Sequence, residues 1–261
     1  MDNERVIRAA NVRREVHRTM GSVNIGAEAV NLNDLLSHYK RMTSAGASKD
    51  VEQLIRLFGE RHLQMMSGRI VREGQVAPNV VMRIGPDGMT ADLDTMSRSG
   101  PIVLKFYRGR WCPYCTLELR AYQRSVDRVN QLGGRVIALS PQSEEETDLT
   151  RLRDQLTMTM VTDRDNAIAR EFGLAYALDA DEQRMMASLG VDLPRINGHA
   201  GDGDPAGWSL ALPALYVIGP GRRVAFSFVD PDYRRRAEPD DVVSAVATLA
   251  TSVQRGRTGR H

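Results

Sequence analysis

Cysteine is nearly absent from this 261-residue chain: there are two, Cys112 and Cys115. Aromatic residues are also scarce at 5%, so aliphatic side chains and the 12 methionines must fill much of the core. No apolar run approaches the roughly 18 residues needed to cross a bilayer. The N-terminus, "MDNERVIRAANVRREVH", lacks the apolar centre of a secretory signal, and Asp2, Glu4 and Glu15 argue against an Arg-rich organelle presequence. A soluble, cytoplasmic protein is expected. A formal net charge of +2 excludes nucleic acid as the expected partner, although Arg5, Arg8, Arg13, Arg14 and Arg18 gather at one end and Arg255, Arg257 and Arg260 at the other. These read as solvated ends. No internal repeat is present. What remains is 42% hydrophobic residues, enough for one sizeable core with a small extension.

Leu32, Leu35, Leu36 and Tyr39 recur at helical spacing, and Val51, Leu54, Ile55 and Phe58 repeat it. With "TSAGASK" between them, Ser48 as an N-cap and Gly68 near the stop, residues 27 to 67 read as a helical hairpin. The pattern then turns extended: "NVVMRI", a "GPDG" turn and "MTADL" suggest a β-hairpin. The expected division is a helical extension over 1–72, an α/β domain over 73–255 and a basic tail over 256–261.

From Pro101 onward strands and helices alternate. "PIVLKFY", "RVIALS" and "TMTMVTD" read as strands, and "CTLELRAYQRSVDRVNQLG", "EEETDLTRLRDQL" and "RDNAIAREFG" as helices. This order predicts right-handed crossovers and a sheet covered on both faces. A helix over Asp181 to Leu189 and the "GDGDPAG" loop interrupt the alternation; the loop lacks the closing Glu of a calcium-binding EF-hand and reads as surface. "PALYVI" and "VAFSFV" form an antiparallel hairpin, and a final helix opens at Pro239 and is expected to stop at Gly256.

The two cysteines follow a buried strand and precede a helix, with Pro113 where that helix would begin. Cys112 then lies near the N-cap, where unpaired N–H groups and the positive end of the helix dipole favour the thiolate. Arg108 and Arg110 add positive charge and would steer an anionic substrate, while Trp111 and Tyr114 would rim the sulfurs. Two cysteines supply half of a zinc site and none of the five histidines is near them in sequence, so neither metal nor cofactor is expected.

"FYRGRWCPYCTLEL", "ALSPQS", "LPALYVIGPGRRVAF" and "DPDYRRRAEP" resemble the peroxiredoxin-like branch of the thioredoxin superfamily, related to alkyl hydroperoxide reductase and thiol-specific antioxidant proteins. "WCPYC" is also similar to the thioredoxin and glutaredoxin motifs. The resemblance implies a thioredoxin-like α/β fold, a central mixed sheet flanked by helices. It gives two answers about the nucleophile: Cys112 in the thioredoxin frame, Cys115 in the peroxiredoxin frame. In the latter, Cys112 replaces the family's threonine, and the activating arginine falls on or beside Pro213. Pro213 matches instead the thioredoxin proline whose preceding bond is cis, which would expose the Leu212 backbone as a docking edge. The carboxylate of thioredoxins in the strand before the motif is missing; Lys105 is the one ionisable group of "PIVLKFY".

The leading expectation is a thiol–disulfide oxidoreductase cycling a Cys112–Cys115 disulfide, with Cys112 the more exposed, attacking thiol and peroxide reduction at most a weak accompanying activity. The alternatives are a true hydroperoxide reductase with Cys115 peroxidatic, and a non-catalytic thiol-gated binding or biosynthetic accessory protein. The implied partners are a disulfide or peroxide substrate and a thiol reductant system, thioredoxin-like or of low molecular weight. Homodimers are common among such relatives.

Overall fold

A computed structural model of the chain describes residues 31–44, 49–66, 68–85, 88–199 and 204–258. The Arg-rich N-terminal run, Ser48, the centre of the "GPDG" turn and the first part of the "GDGDPAG" loop lie outside these residues.

The chain opens with helices α1 (Leu32–Ser44) and α2 (Lys49–Met66), followed by the short antiparallel pair β1 (Val81–Arg83) and β2 (Thr90–Asp92). Then come α3 (Leu93–Ser99), β3 (Ile102–Phe106), α4 (Pro113–Gln123), α5 (Val126–Gln131), β4 (Arg135–Ser140), α6 (Glu144–Arg153), β5 (Thr159–Thr162) and α7 (Ala167–Glu171). The insertion contributes β6 (Ala175–Ala177), α8 (Ala180–Ser188), α9 (Leu193–Ile196) and β7 (Ser209–Ala211), and the chain closes with β8 (Ala214–Ile218), β9 (Val224–Val229) and α10 (Pro239–Thr258).

Five strands form the central sheet in the order β5-β4-β3-β8-β9. β3, β4 and β5 run parallel, joined by helical crossovers, while β8 is antiparallel to β3 and β9 to β8. This is the thioredoxin-like mixed sheet. β3 is central and all five of its residues are buried, which is why "PIVLKF" reads as a continuous apolar run broken only by Lys105. Its side chains alternate between two cores. Ile102, Leu104 and Phe106 pack with Leu93, Phe172 and Tyr216 on one face; Val103 and Tyr107 pack with α1, α4, α5 and α10 residues on the other.

The face holding α4 positions the thiols. Helix α1 lays Leu32, Leu36 and Tyr39, exposed by 2%, 2% and 6%, onto that core. Each such side chain contributes about 1.5–3 kcal/mol of apolar burial. Helix α2 approaches so closely at Gly59 that a Cβ there would lie 2.2 Å from the Pro231 carbonyl oxygen. Further along α2, His62 is buried, stacks on Tyr176 with ring centroids 3.8 Å apart, and reaches the Glu182 carboxylate at 3.3 Å.

Two helix boundaries differ from expectation. The helix after the cysteines is broken at Arg124–Ser125, where the amides turn back to Ala121 and Tyr122, and α5 resumes before Gly133 at φ 75°. The break lets Tyr122 and Val126 both reach the core around α10. The last helix passes through Gly256 to Thr258, since one helical glycine costs only about 1 kcal/mol. None of the described helices is long and apolar enough to cross a membrane.

Candidate active site

The loop from Tyr107 to Trp111 carries the chain from β3 to α4. Gly109 has φ 130°, and a Cβ on it would stand 2.7 Å from Trp111 Nε1; only glycine lets the indole fold back over the loop. The buried side chain of Gln142, just beyond β4, ties the loop from beneath. Its Oε1 accepts the Arg110 N–H at 2.9 Å, and its Nε2 donates to Tyr107 Oη at 3.0 Å and Thr150 Oγ1 at 2.9 Å. Cys112 is the N-cap of α4, with φ −91° and ψ 109°, and Pro113 is the first helical residue. The Cys112 side chain makes no cap hydrogen bond, so its sulfur is available for other partners.

Both cysteines are free thiols, close enough to hydrogen-bond to one another. Both are buried, Cys112 at 1% exposure and Cys115 at 0%. Cys112, expected to be the more exposed thiol, is thus hardly more exposed than Cys115, and aromatic rings from within and beyond the motif share the core cluster that buries the pair. Tyr114 packs edge-on against Tyr39 of α1 at 5.1 Å and against Tyr233 at 5.7 Å. The Arg108 guanidinium lies 4.7 Å from the centroid of Trp111 and 4.3 Å from that of Tyr233. Cys115 Sγ accepts the backbone N–H of Arg108 at 3.5 Å and an Nη2 hydrogen of Arg236 at 3.4 Å.

Charge in this pocket is unbalanced. Arg236 donates Nε to Glu118 Oε2 at 2.5 Å, and Lys105 Nζ pairs with Glu118 Oε1; all three residues are buried. Burial lowers the Lys105 pKa, opposed by Glu118. Arg108 is 8% exposed, and its Nε has no hydrogen-bond partner among the described residues. Arg236 and Lys105 thus share the Glu118 carboxylate, no ion pair sets a carboxylate against Arg108 among the described residues, and a thiolate would supply a second negative charge beside two guanidiniums that stay protonated. The two thiols are driven apart accordingly. For Cys112, burial raises the pKa, but the Cys115 hydrogen bond with the charges of Arg108 and Arg236 outweighs it and the net shift is down. For Cys115, burial and the neighbouring Cys112 hold the thiol protonated. The arrangement can present one sulfur as a nucleophile and keep the other as its protonated neighbour.

Of the residues singled out in the sequence, Cys112, Cys115, Arg108, Trp111 and Tyr114 come together. Arg110 does not. Its Nε and Nη2 engage Glu146 on α6, which diverts its charge away from the sulfurs. The cis bond before Pro213 is a correction: no described peptide bond is cis. Nor is Leu212 a docking edge, because it is buried and its N–H donates to the Leu174 carbonyl at 3.0 Å, extending the β6–β7 pairing. The sequence reading missed Arg236, Glu118, Tyr233 and Gln142. Glu118 follows Cys115 by three residues, so helical spacing could have placed it beside that sulfur. For Arg236 there was no such signal, since three consecutive arginines stand at 234–236 and only the fold selects which turns inward.

The sequence profile described as the AhpC/TSA family matches residues 74–227, more than half of the chain. The chain belongs to the AhpC/TSA family. Among curated relatives of this AhpC/TSA chain, "Peroxiredoxin Q, chloroplastic" from Triticum aestivum is 28% identical over 104 residues, covering 40% of the chain and 47% of the relative. Its counterpart from Populus jackii is 26% identical over 104 residues, covering 40% and 48%. The chain thus spans about half the length of the curated relatives it matches. Among solved structures, the peroxidoxin BcpB of Mycobacterium tuberculosis aligns with 15% identity over 69% of this chain and 98% of that one, at a TM-score of 0.49. Peroxiredoxin Q of Xanthomonas campestris aligns with 15% identity over 66% and 91%, at a TM-score of 0.46.

Proposed function

We propose that the protein is a dithiol peroxidase that reduces a small hydroperoxide, with Cys112 attacking and Cys115 resolving. The observation that carries this reading is a buried thiol pair facing two guanidiniums and one carboxylate, with Cys112 as the sulfur whose ionisation is favoured. Membership of the AhpC/TSA family supports peroxide as the oxidant. Burial supports a small one: a protein disulfide needs an exposed sulfur and a free backbone edge, whereas Cys112 is 1% exposed and the Leu212 edge is taken.

In the first step the Cys112 thiolate attacks the terminal peroxide oxygen. An S–O bond forms, the O–O bond breaks, and the departing alkoxide takes a proton to leave as alcohol. The Arg108 guanidinium, whose Nε has no hydrogen-bond partner among the described residues, is a donor for the charge that develops on oxygen. Cys115 then attacks the Cys112 sulfenic acid, forming the disulfide while its proton and the hydroxyl depart as water. A thiol reductant must return two electrons and two protons to restore the pair. The burial favours a low-molecular-weight thiol, and a reducing compartment such as the cytoplasm would sustain the cycle.

A second reading rests on Arg236 and the Arg108 N–H, which both point at Cys115 and suit it as the sulfur that reacts with peroxide. Peroxide consumption by the full chain with dithiothreitol as donor, run with Cys112→Ser and Cys115→Ser and read by mass, separates the two. The proposed order requires sulfenic acid on Cys112 in the Cys115→Ser protein and little oxidation in Cys112→Ser. An oxidised Cys115 in Cys112→Ser at the wild-type rate reverses the roles. No peroxide consumption by the wild type overturns the peroxidase reading.

A further inference from the structure

The N-terminal helix α1 lies outside the matched family region, yet it reaches the thiol site through a specific set of hydrogen bonds. The Arg236 side chain points inward at Cys115 and Glu118. Its main chain is held from the other side by Asn33, the second residue of α1. Asn33 Nδ2 donates to the Arg236 carbonyl at 2.8 Å, and Asn33 Oδ1 accepts the Arg236 N–H at 3.3 Å. Glu238 locks the clamp in place: its carboxylate accepts the N–H groups of Leu32 at 2.9 Å and Asn33 at 2.8 Å, and Asn33 Nδ2 at 2.5 Å. A side-chain amide offers a donor and an acceptor in one plane, so it can pair with both polar groups of one residue as a neighbouring strand would. Arg236 belongs to no helix or strand, and Asn33 fills that role for it.

We infer that Asn33 is a positioning residue: through a two-point clamp on the Arg236 main chain, helix α1 holds the Arg236 guanidinium on the Cys115 sulfur and so forms part of the thiol site. This deepens the reading above and rests on Cys112 and Cys115 being the reacting pair. The groups facing that pair are Arg108, Lys105, Glu118 and Arg236, with the buried phenols of Tyr107, Tyr176 and Tyr233. Among them, Arg236 has its main chain hydrogen-bonded to α1 through Asn33.

The test compares Asn33→Ala, Asn33→Asp and Asn31→Ala in the full chain. Asn31 also steadies the start of α1, its Oδ1 accepting the Asp34 N–H at 3.1 Å, but it does not touch Arg236. The readout is the pH dependence of iodoacetamide alkylation of the reduced thiols, alongside thermal melting and peroxide turnover. Asn33→Ala should move the alkylation midpoint up in pH and slow alkylation below the midpoint by about threefold to tenfold, since one unit of pKa is a tenfold change in thiolate there. Asn33→Asp sets a carboxylate oxygen where Nδ2 donated to the Arg236 carbonyl and the Glu238 carboxylate, and should move the midpoint at least as far as Asn33→Ala. Asn31→Ala should leave the midpoint where it is, although it lowers the melting temperature. The Asn33→Ala shift should vanish in an Arg236→Met background. An unmoved midpoint in Asn33→Ala, or the same shift in Asn31→Ala, overturns the inference. If the shifts appear as stated but the wild type consumes no peroxide, the peroxidase reading fails and the clamp stands.

Discussion

Replacing Arg236 with Met removes one charge from beside the thiols while keeping much of the side-chain volume. The guanidinium Nη2 is 3.4 Å from Cys115 Sγ. At an effective dielectric of about 20, a full charge at that distance favours a thiolate by about 5 kcal/mol, or roughly 3.5 pKa units. That is an upper bound on the shift. Glu118 already neutralises part of the guanidinium, and Lys105, left alone with Glu118, will hold its proton more firmly once the competing cation is gone. A rise of about one to two units in the first thiol ionisation is therefore expected. The two thiols are hydrogen-bonded to one another, so both sulfurs feel the loss, and the charge of Arg236 helps to lower the Cys112 pKa. The thiolate absorbance near 240 nm, followed against pH in the reduced protein and in its Cys115→Ser variant, measures the shift. The variant should still fold, because the Lys105–Glu118 pair remains satisfied. A midpoint that stays put or falls would refute the argument that excess buried positive charge prepares the nucleophile.

Two further expected outcomes concern stability. Gly173 ends α7 at φ 70°, and a Cβ there would meet the Arg69 carbonyl oxygen at 2.2 Å, so Gly173→Ala should cost about 3 kcal/mol, whereas Gly74→Ala, at φ 82° with open space around it, should cost about 1; urea denaturation of both variants checks the contrast. The Cys112 pKa is lowered to about 6 from an ordinary value of 9.0, because the Cys115 hydrogen bond, Arg108 and Arg236 outweigh the opposing effect of burial. A depressed folded-state value contributes stability that is present above the unfolded value and is lost as pH falls through the folded one. Reduced protein should therefore lose stability from pH 9 toward 6, by up to about 1.4 kcal/mol per unit. Cys112→Ser should flatten that slope, and an identical slope in the variant would show that Cys112 is not its source.

Much of this protein could be read locally. Period-two and period-3.6 patterns are set by which face of a short segment meets the core, so "PIVLKF", "RVIALS", "ALYVI" and the spacing of Leu32, Leu36 and Tyr39 announce their elements directly. Pro113 after Cys112 marks a helix start for the same local reason. Side-chain partners distant in sequence were not legible. Arg236 is 121 residues from Cys115, and the choice among three adjacent arginines depends on how the segment after β9 crosses α4. Pro213 was read through a resemblance in its local sequence, but the pairing of Leu212 with Leu174, 38 residues earlier, decides its surroundings.

By itself the sequence determined the order of the five central strands, and it placed two thiols at a helix start, because these depend on backbone geometry over a few residues. Tertiary structure alone decided that both sulfurs are covered, that Arg110 turns to Glu146 while Arg236 turns inward, and that α1 reaches over the site. Burial and charge balance arise from groups far apart in the chain, and only the folded packing brings them within a few ångströms.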